Sequence, residues 1–204
     1  YGGKEGSILQ LCASRKITLL RFRGQPHKHP FLANLSPLNL WRRVPEFFPS
    51  KRLKEKSSHT SDYPILPLGI NTSKFTPPTT TSWQKNRPVI LVVGRLDPVK
   101  GHRPLLVFFK KIISHFNQKH PSLPTPVLKI IGRDANINST ELINYATSLH
   151  NIYPKHLEIN NYHVKNIEEH MREASVGIIP SIGSEWICRV AQEFLVTGTP
   201  TISS

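Results

Sequence analysis

Apolar residues fall into a clear alternation only from Pro88 onward. The run Val89-Ile90-Leu91-Val92-Val93 is continuous, rich in β-branched residues and closed by Gly94, the pattern of a strand buried on both faces of a parallel sheet. A turn follows from Gly94 to Gly101. Beyond it Leu105, Phe109, Ile112, Ile113 and Phe116 recur at three- and four-residue steps, marking one face of an amphipathic helix. The cycle repeats: residues 127–131 predict a second strand ending at Gly132, and Leu142, Tyr145, Ala146 and Leu149 predict a second helix. Residues 157–161 predict a third strand, 167–174 a short helix, 175–180 a fourth strand and 199–203 a fifth. Between the last two a helix is expected from Trp186 to Thr197, closed by Gly198 as a left-handed cap with Pro200 just beyond.

Strands separated by helices of this length cannot pair as hairpins, so the pattern predicts an α/β fold. Its sheet is parallel, with right-handed crossovers and helices on both faces, a doubly wound, Rossmann-like arrangement. Ligands of such sheets bind outside the carboxyl ends of the strands, so the loops after Val93, Ile131, Asn161 and Pro180 are expected to line one crevice. Residues 1–85 have no comparable period. Their apolar runs at 17–20 and 38–41 are isolated by the stretches 25–30 and 51–62. The chain therefore divides into a partial N-terminal domain with its linker, residues 1–85, and a Rossmann-like C-terminal domain, residues 86–204.

Composition sharpens this division. Of 27 Lys and Arg against 13 Asp and Glu, which leave a net charge of +14, residues 1–85 hold 14 basic and 4 acidic side chains. The excess is thus +10 before the boundary and +4 after it. Such an excess suits an anionic membrane surface or a phosphorylated acceptor, nucleic acid, or a solvated basic face with no cognate partner. Nucleic acid has the least support, because aromatic residues are not interleaved with the basic ones and no nucleic-acid-binding signature is present. No apolar run reaches the roughly 18 residues of a membrane-spanning helix. Cys12 and Cys188 form neither a disulfide framework nor a zinc-ligand set, which fits a reducing cytosol. His27 and His29 are the one close histidine pair, and their Pro-rich context reads as polar surface. The opening Tyr1-Gly2-Gly3-Lys4 has no signal-peptide features and reads as a chain cut from something longer.

The rim loops carry the candidate chemistry. After the first strand come Gly94, then Arg95 and Lys100, a planar fork and a point charge suited to two adjacent phosphates. After the fourth strand come Ser181-Ile182-Gly183-Ser184-Glu185, and eight residues later Glu193. A helix starting at Trp186 would aim free N–H groups at the crevice, another anion-favouring device. Along that helix Glu185 and Glu193 would lie on nearly the same face, able to accept hydrogen bonds from sugar hydroxyls. Phosphates and hydroxyls together describe a nucleotide sugar. Taken singly, Glu185 reads better as a helix N-terminal charge and Glu193 as a solvated residue; Gly94-Arg95 with Lys100-Gly101 on the adjacent loop reverses that reading.

The segments Ile65 to Pro77, Val93-Gly94-Arg95-Leu96-Asp97 with Lys100-Gly101, Leu128 to Gly132 and Pro180 to Pro200 resemble the retaining family-4 glycosyltransferases of GT-B fold. The resemblance spans about Ile65 to Ser204 with the motifs in order, and Glu185 and Glu193 match the family's pair of glutamates. It implies a nucleotide-diphosphate sugar donor on the C-terminal domain, an acceptor on the N-terminal one, and no further cofactor or metal. Arg95 and Lys100 would bind the diphosphate and assist its departure, with Glu185 as the third catalytic group holding the donor sugar. Glu193 would hold the ribose. Gly94, Gly132 and Arg133, together with Ile187, Cys188, Arg189 and Val190, would complete the donor site.

Trp186-Ile187-Cys188-Arg189 departs from the family's usual Gly-Phe-Gly after the first glutamate. It looks more like a bacterial subgroup associated with cell-surface polysaccharide and lipopolysaccharide sugars. Arg189 either adds a phosphate contact or pairs with Glu193 four positions on. Cys188 reads as a packed thiol without a catalytic partner. Leu19-Leu20-Arg21-Phe22-Arg23-Gly24 resembles an N-terminal-domain strand end of the same subgroup. What the resemblance implies is a metal-independent hexosyltransferase-like enzyme acting on a saccharide or lipid-linked acceptor, in the cytoplasm or on the inner face of the cell membrane. The chain then corresponds to the middle and C-terminal portion of a two-domain transferase. The alternative is a truncated, non-catalytic module that binds nucleotide sugar or polyanions such as acidic glycan, anionic lipid or nucleic acid.

Overall fold

The computed structural model of the chain describes residues 21–22, 46–55, 64–79, 87–149, 152, 154–183 and 188–204. By their contacts the residues form two units, Tyr1–Gly69 and Ile70–Ser204. In the first, the two-residue strands β1 (Arg21–Phe22) and β2 (Glu46–Phe47) pair in parallel. The short helix α1 (Lys51–Glu55) follows, with the Leu53 N–H bonded to Ser50 Oγ at 3.2 Å. Phe48 and Leu53 are fully buried, and Phe48 bridges to Ile65 through backbone bonds to Pro64 and Leu66. The helix falls inside the stretch 51–62 that shows no apolar period, because a single buried Leu53 is enough to seat one turn and a half. His27, His29 and the apolar runs at 17–20 and 38–41 lie outside the described residues.

The second unit is the predicted doubly wound sheet. Its strands are β3 (Val89–Val93), β4 (Val127–Ile131), β5 (Leu157–Asn160), β6 (Val176–Ile179) and β7 (Thr201–Ser203), all parallel in the order β5-β4-β3-β6-β7. The helices are α2 (His102–Lys119), α3 (Ser139–Ser148), α4 (Ile167–Glu173) and α5 (Arg189–Val196). Successive strand side chains point to opposite faces, so one strand feeds two cores. Ile90 and Val92 of β3 pack with Leu105, Leu106, Phe109 and Ile113 of α2 and with Leu142 and Ala146 of α3. Leu91 packs on the other face with Met171 of α4, Phe194 of α5 and Phe75. Burial on both faces is the reason β3 reads as an unbroken apolar run.

Capping residues set the helix ends. Asn138 Oδ1 accepts the Glu141 N–H at 2.7 Å to start α3. At the other end of α5, Thr199 N–H bonds Phe194 C=O (3.0 Å) and Gly198 N–H bonds Leu195 C=O (3.1 Å), a Schellman closure that needs the left-handed Gly198 at φ 73°. One expected boundary is corrected. Cys188 is extended (φ −100°, ψ 92°) and acts as the N-cap, so α5 starts at Arg189 and not at Trp186. Glu193 therefore sits just over one turn into α5, and no continuous helix passes through Cys188 to align it with Glu185.

Where β6 crosses α5 there is no spare volume. A Cβ built at Gly177 would lie 2.7 Å from the ring of the fully buried Phe194. Gly177→Ala is therefore expected to lower stability by about 1–3 kcal/mol, the usual cost of overpacking a tight core. Chemical denaturation checks this, as a lower midpoint with an unchanged slope.

Candidate functional site

The connection leaving β3 runs to β4 on one side and the connection leaving β6 runs to β7 on the other. At that divergence a doubly wound sheet opens a crevice. Here it is a cleft of about 400 Å³, lined by the ends of β3 and β6, the loops that follow β3, β4 and β6, and the beginnings of α2 and α5.

The loop after β3 forms one wall and is tightly bonded. Leu96 extends the sheet past its strands, its N–H bonding Arg133 C=O (2.9 Å) and its C=O accepting from Ile137 N–H (3.0 Å). Asp97, only 3% exposed, organises the turn. One carboxylate oxygen accepts the Val99 N–H at 3.1 Å, capping the 3-10 turn Pro98–Lys100. The other accepts from Asn136 Nδ2 at 2.8 Å and lies 3.5 Å from Arg95 Nε. The same side chain thus steers Arg95 and shapes the turn that returns Lys100 to the cleft.

Backbone contacts close the walls. Gly101 takes φ 69°, and a Cβ there would fall 1.8 Å from Pro180 O. A Cβ on Gly132 would fall 1.8 Å from Gly94 O, whereas one on Gly94 would meet nothing within 4 Å. Gly132 therefore packs against the Gly94 backbone, while Gly94 itself borders open space. On the far wall α5 begins at Arg189 behind its extended N-cap Cys188, whose C=O accepts the Gln192 N–H at 3.4 Å. Two helix starts, at Lys100–His102 and Cys188–Val190, contribute to the lining, each a partial positive charge.

Of the sequence-predicted residues, Gly94, Arg95, Lys100, Arg133, Cys188, Arg189 and Val190 are brought together around the cleft. Gly132 shapes it through the backbone contact just described. Glu193 is not among the lining residues. It pairs with Arg189 at 3.7 Å, and burial pushes its carboxyl above the usual range, against the pull of Arg189 and Lys74. Glu185 and Ile187 lie outside the described residues. Four cations, Arg95, Lys100, Arg133 and Arg189, thus line a cleft that has no acidic residue among its described lining.

Sequence reasoning missed His102. It is 1% exposed, lines the cleft, and its Nε2 lies 3.1 Å from Arg95 O. Burial lowers its pKa, and Lys100 lowers it further, while the Arg95 carbonyl and Asp97 pull the other way. The available signal was its place directly after Lys100-Gly101, at the first position of a helix where an imidazolium would oppose the helix dipole.

Residues 78–204 match the family model for glycosyl transferases group 1. No curated protein matches the chain by sequence. Among solved structures, the chain is similar to a glycosyltransferase from Rickettsia africae at 14% identity and TM-score 0.72, over 97% of this chain and 60% of that one. The C-terminal domain of the group 1 family protein LpcC from Francisella tularensis is 20% identical at TM-score 0.50, over 66% and 70%. The trehalose-6-phosphate protein from E. coli bound with UDP-2-fluoro glucose is 15% identical at TM-score 0.62, over 96% and 55%. At these identities the likeness carries the fold, which is GT-B. The chain spans only 55–60% of the length of the two fuller structures.

Three histidines contribute to the acid side of stability. His102, His156 and His170 all have lowered pKa values, with burial the leading cause in each. The unfolded chain takes up protons near the ordinary value of about 6.5 while the folded chain does not. Stability is therefore full above that value and falls as pH drops through it toward the lower folded values. Glu193, whose folded pKa is raised, acts in the opposite sense in the carboxylate range. Thermal melts from pH 7.5 to 5.5 are expected to show a falling Tm, with a shallower slope in His156→Gln.

Proposed function

The chain belongs to the group 1 glycosyl transferases, and we propose that it transfers a sugar, with retention, from a nucleotide-diphosphate sugar to a saccharide or lipid-linked acceptor. The observation that carries this reading is the cleft at the switch point, where three loops and two helix starts gather Arg95, Lys100, Arg133 and Arg189. Asp97 lies beside Arg95 and Glu193 beside Arg189. Gathered guanidinium and ammonium groups of this kind suit the phosphates of a diphosphate. The UDP-2-fluoro glucose bound to the E. coli neighbour is a ligand of this chemistry.

In this reading Arg95 and Lys100 hold the diphosphate and stabilise the charge that grows on it as the bond from the anomeric carbon to the phosphate oxygen breaks. The acceptor hydroxyl oxygen bonds to the sugar on the face the phosphate leaves, and its proton passes to the departing phosphate oxygen. Fixed cations and the amides at the start of α5 supply the electrostatics, and the chemistry needs no bound metal. Arg133 and Gly132 border the nucleobase and phosphate, and Arg189 adds a phosphate contact while keeping Glu193 company. Glu185 holds the donor sugar, Glu193 the ribose, and Ile187, Cys188 and Val190 complete the wall. The basic excess of residues 1–85 suits a phosphorylated acceptor or an anionic membrane surface, in the cytoplasm or on the inner face of the cell membrane. Cell-surface polysaccharide or lipopolysaccharide synthesis is the process to which such an activity belongs. Among the described residues no helix is long and apolar enough to cross a membrane.

Calorimetric titration with UDP, GDP and ADP sugars tests the reading. One of the three is expected to bind, and Arg95→Ala and Lys100→Ala are each expected to weaken binding by about 1.5–3 kcal/mol, the scale of a charge-assisted contact. Binding of none of them overturns the reading. So does salt-sensitive polyanion binding that ignores both substitutions, which points to a non-catalytic module.

A further inference from the structure

We propose that His102 is a positioning residue, a neutral staple that closes the loop between Arg95 and the start of α2 and so fixes the spacing of Arg95 and Lys100. The inference rests on the reading of the cleft as a diphosphate site. The peptide groups of this loop are held from two directions. Gly94 N–H bonds Ile131 C=O, and Leu96 bonds Arg133 and Ile137, all on the β4 side. The Arg95 carbonyl instead faces α2 and meets His102 Nε2 at 3.1 Å. A carbonyl can only accept, so Nε2 carries the proton and Nδ1 presents a lone pair. Nδ1 is buried and has no hydrogen-bond partner among the described residues, so the bond to Arg95 is the polar anchor of the ring.

Three features keep that ring neutral. It is 1% exposed, it begins a helix whose N-terminus disfavours a cation, and Lys100 stands two residues away. A neutral imidazole can therefore sit in a cleft wall already crowded with positive charge and still donate one directed bond. Between its two ends the stapled loop carries the Asp97 cap and the left-handed Gly101. With both ends tied, the Arg95 fork and the Lys100 ammonium are presented at a set separation before any ligand arrives, which lowers the ordering cost of binding.

The test compares His102→Leu, which keeps volume and loses the donor, with His102→Gln, which restores an N–H donor of similar reach. Backbone hydrogen exchange is read without ligand. Affinity is then measured calorimetrically for UDP, GDP and ADP, in the wild-type and Arg95→Ala backgrounds. His102→Leu is expected to speed exchange across residues 94–101 and to weaken binding of the preferred nucleotide about tenfold, one hydrogen bond's worth. His102→Gln is expected to recover both, and in Arg95→Ala the Leu substitution is expected to add little. Unchanged exchange in His102→Leu overturns the proposal. So does an affinity loss that is fully additive with Arg95→Ala, or a Gln variant that behaves as Leu does. Failure of the wild type to bind any of the three nucleotides overturns the diphosphate reading alone, because the exchange comparison still decides whether His102 staples the loop.

Discussion

The cleft depends on backbone meeting backbone at positions where no side chain fits. The loop after β3 is gripped on one side by Pro180, whose carbonyl oxygen occupies the place of a Gly101 Cβ. On the other side Gly132 lies against the Gly94 carbonyl. These approaches bring the ends of β3, β4 and β6 close enough for their loops to share one wall, which the divergence of connections around β3 and β6 alone would not ensure. Glycine at 101 and 132 is thus a condition of the site's geometry, and at 101 the left-handed backbone adds a second reason for it.

On that frame the electrostatics are arranged with economy. Four basic side chains and two helix starts would repel one another in an empty cleft. Asp97 and Glu193 relieve Arg95 and Arg189, and both carboxylates are themselves largely buried. Asp97 acts in two capacities, since the capping bond that shapes the 3-10 turn also holds it beside Arg95. His102 contributes a directed bond without a charge. Under the proposed function this is a surface set up for an anion before one binds, the kind of preorganised field that stabilises a leaving group at little reorganisation cost.

Packing at the far side of the sheet ties the linker to the same unit. Asn71 accepts the backbone N–H groups of Ser73 and Lys74 at 3.1 Å each, forming a turn that delivers Phe75 into the cluster of Leu91, Met171 and Phe194. Lys74 then pairs with Glu168 of α4 at 3.2 Å. By contacts the sheet unit therefore begins at Ile70, within the stretch Ile65 to Pro77 that carries the family resemblance.

Strand and helix order, the parallel sheet and the Gly198 closure were legible in the sequence because each rests on a local signal: an apolar run, a three- and four-residue period, or a glycine followed by proline. Arg95 and Lys100 were legible as candidates because strand-end loops of a doubly wound sheet must share a rim, whereas Arg133 and Arg189 entered only through the family resemblance. The start of α5 was not legible, since no strong capping residue precedes Arg189 and Cys188 takes its extended cap conformation from its place in the fold. Glu193's burial and His102's role were equally hidden. An isolated glutamate or histidine has no periodic signature, and its burial depends on residues distant in the chain. Local pattern determined the elements, their order and the rim on which a ligand would bind. Only the tertiary structure decided which glycine meets a backbone, which carboxylate answers which cation and which imidazole stays neutral, because those depend on distances between segments that the pattern along the chain does not contain.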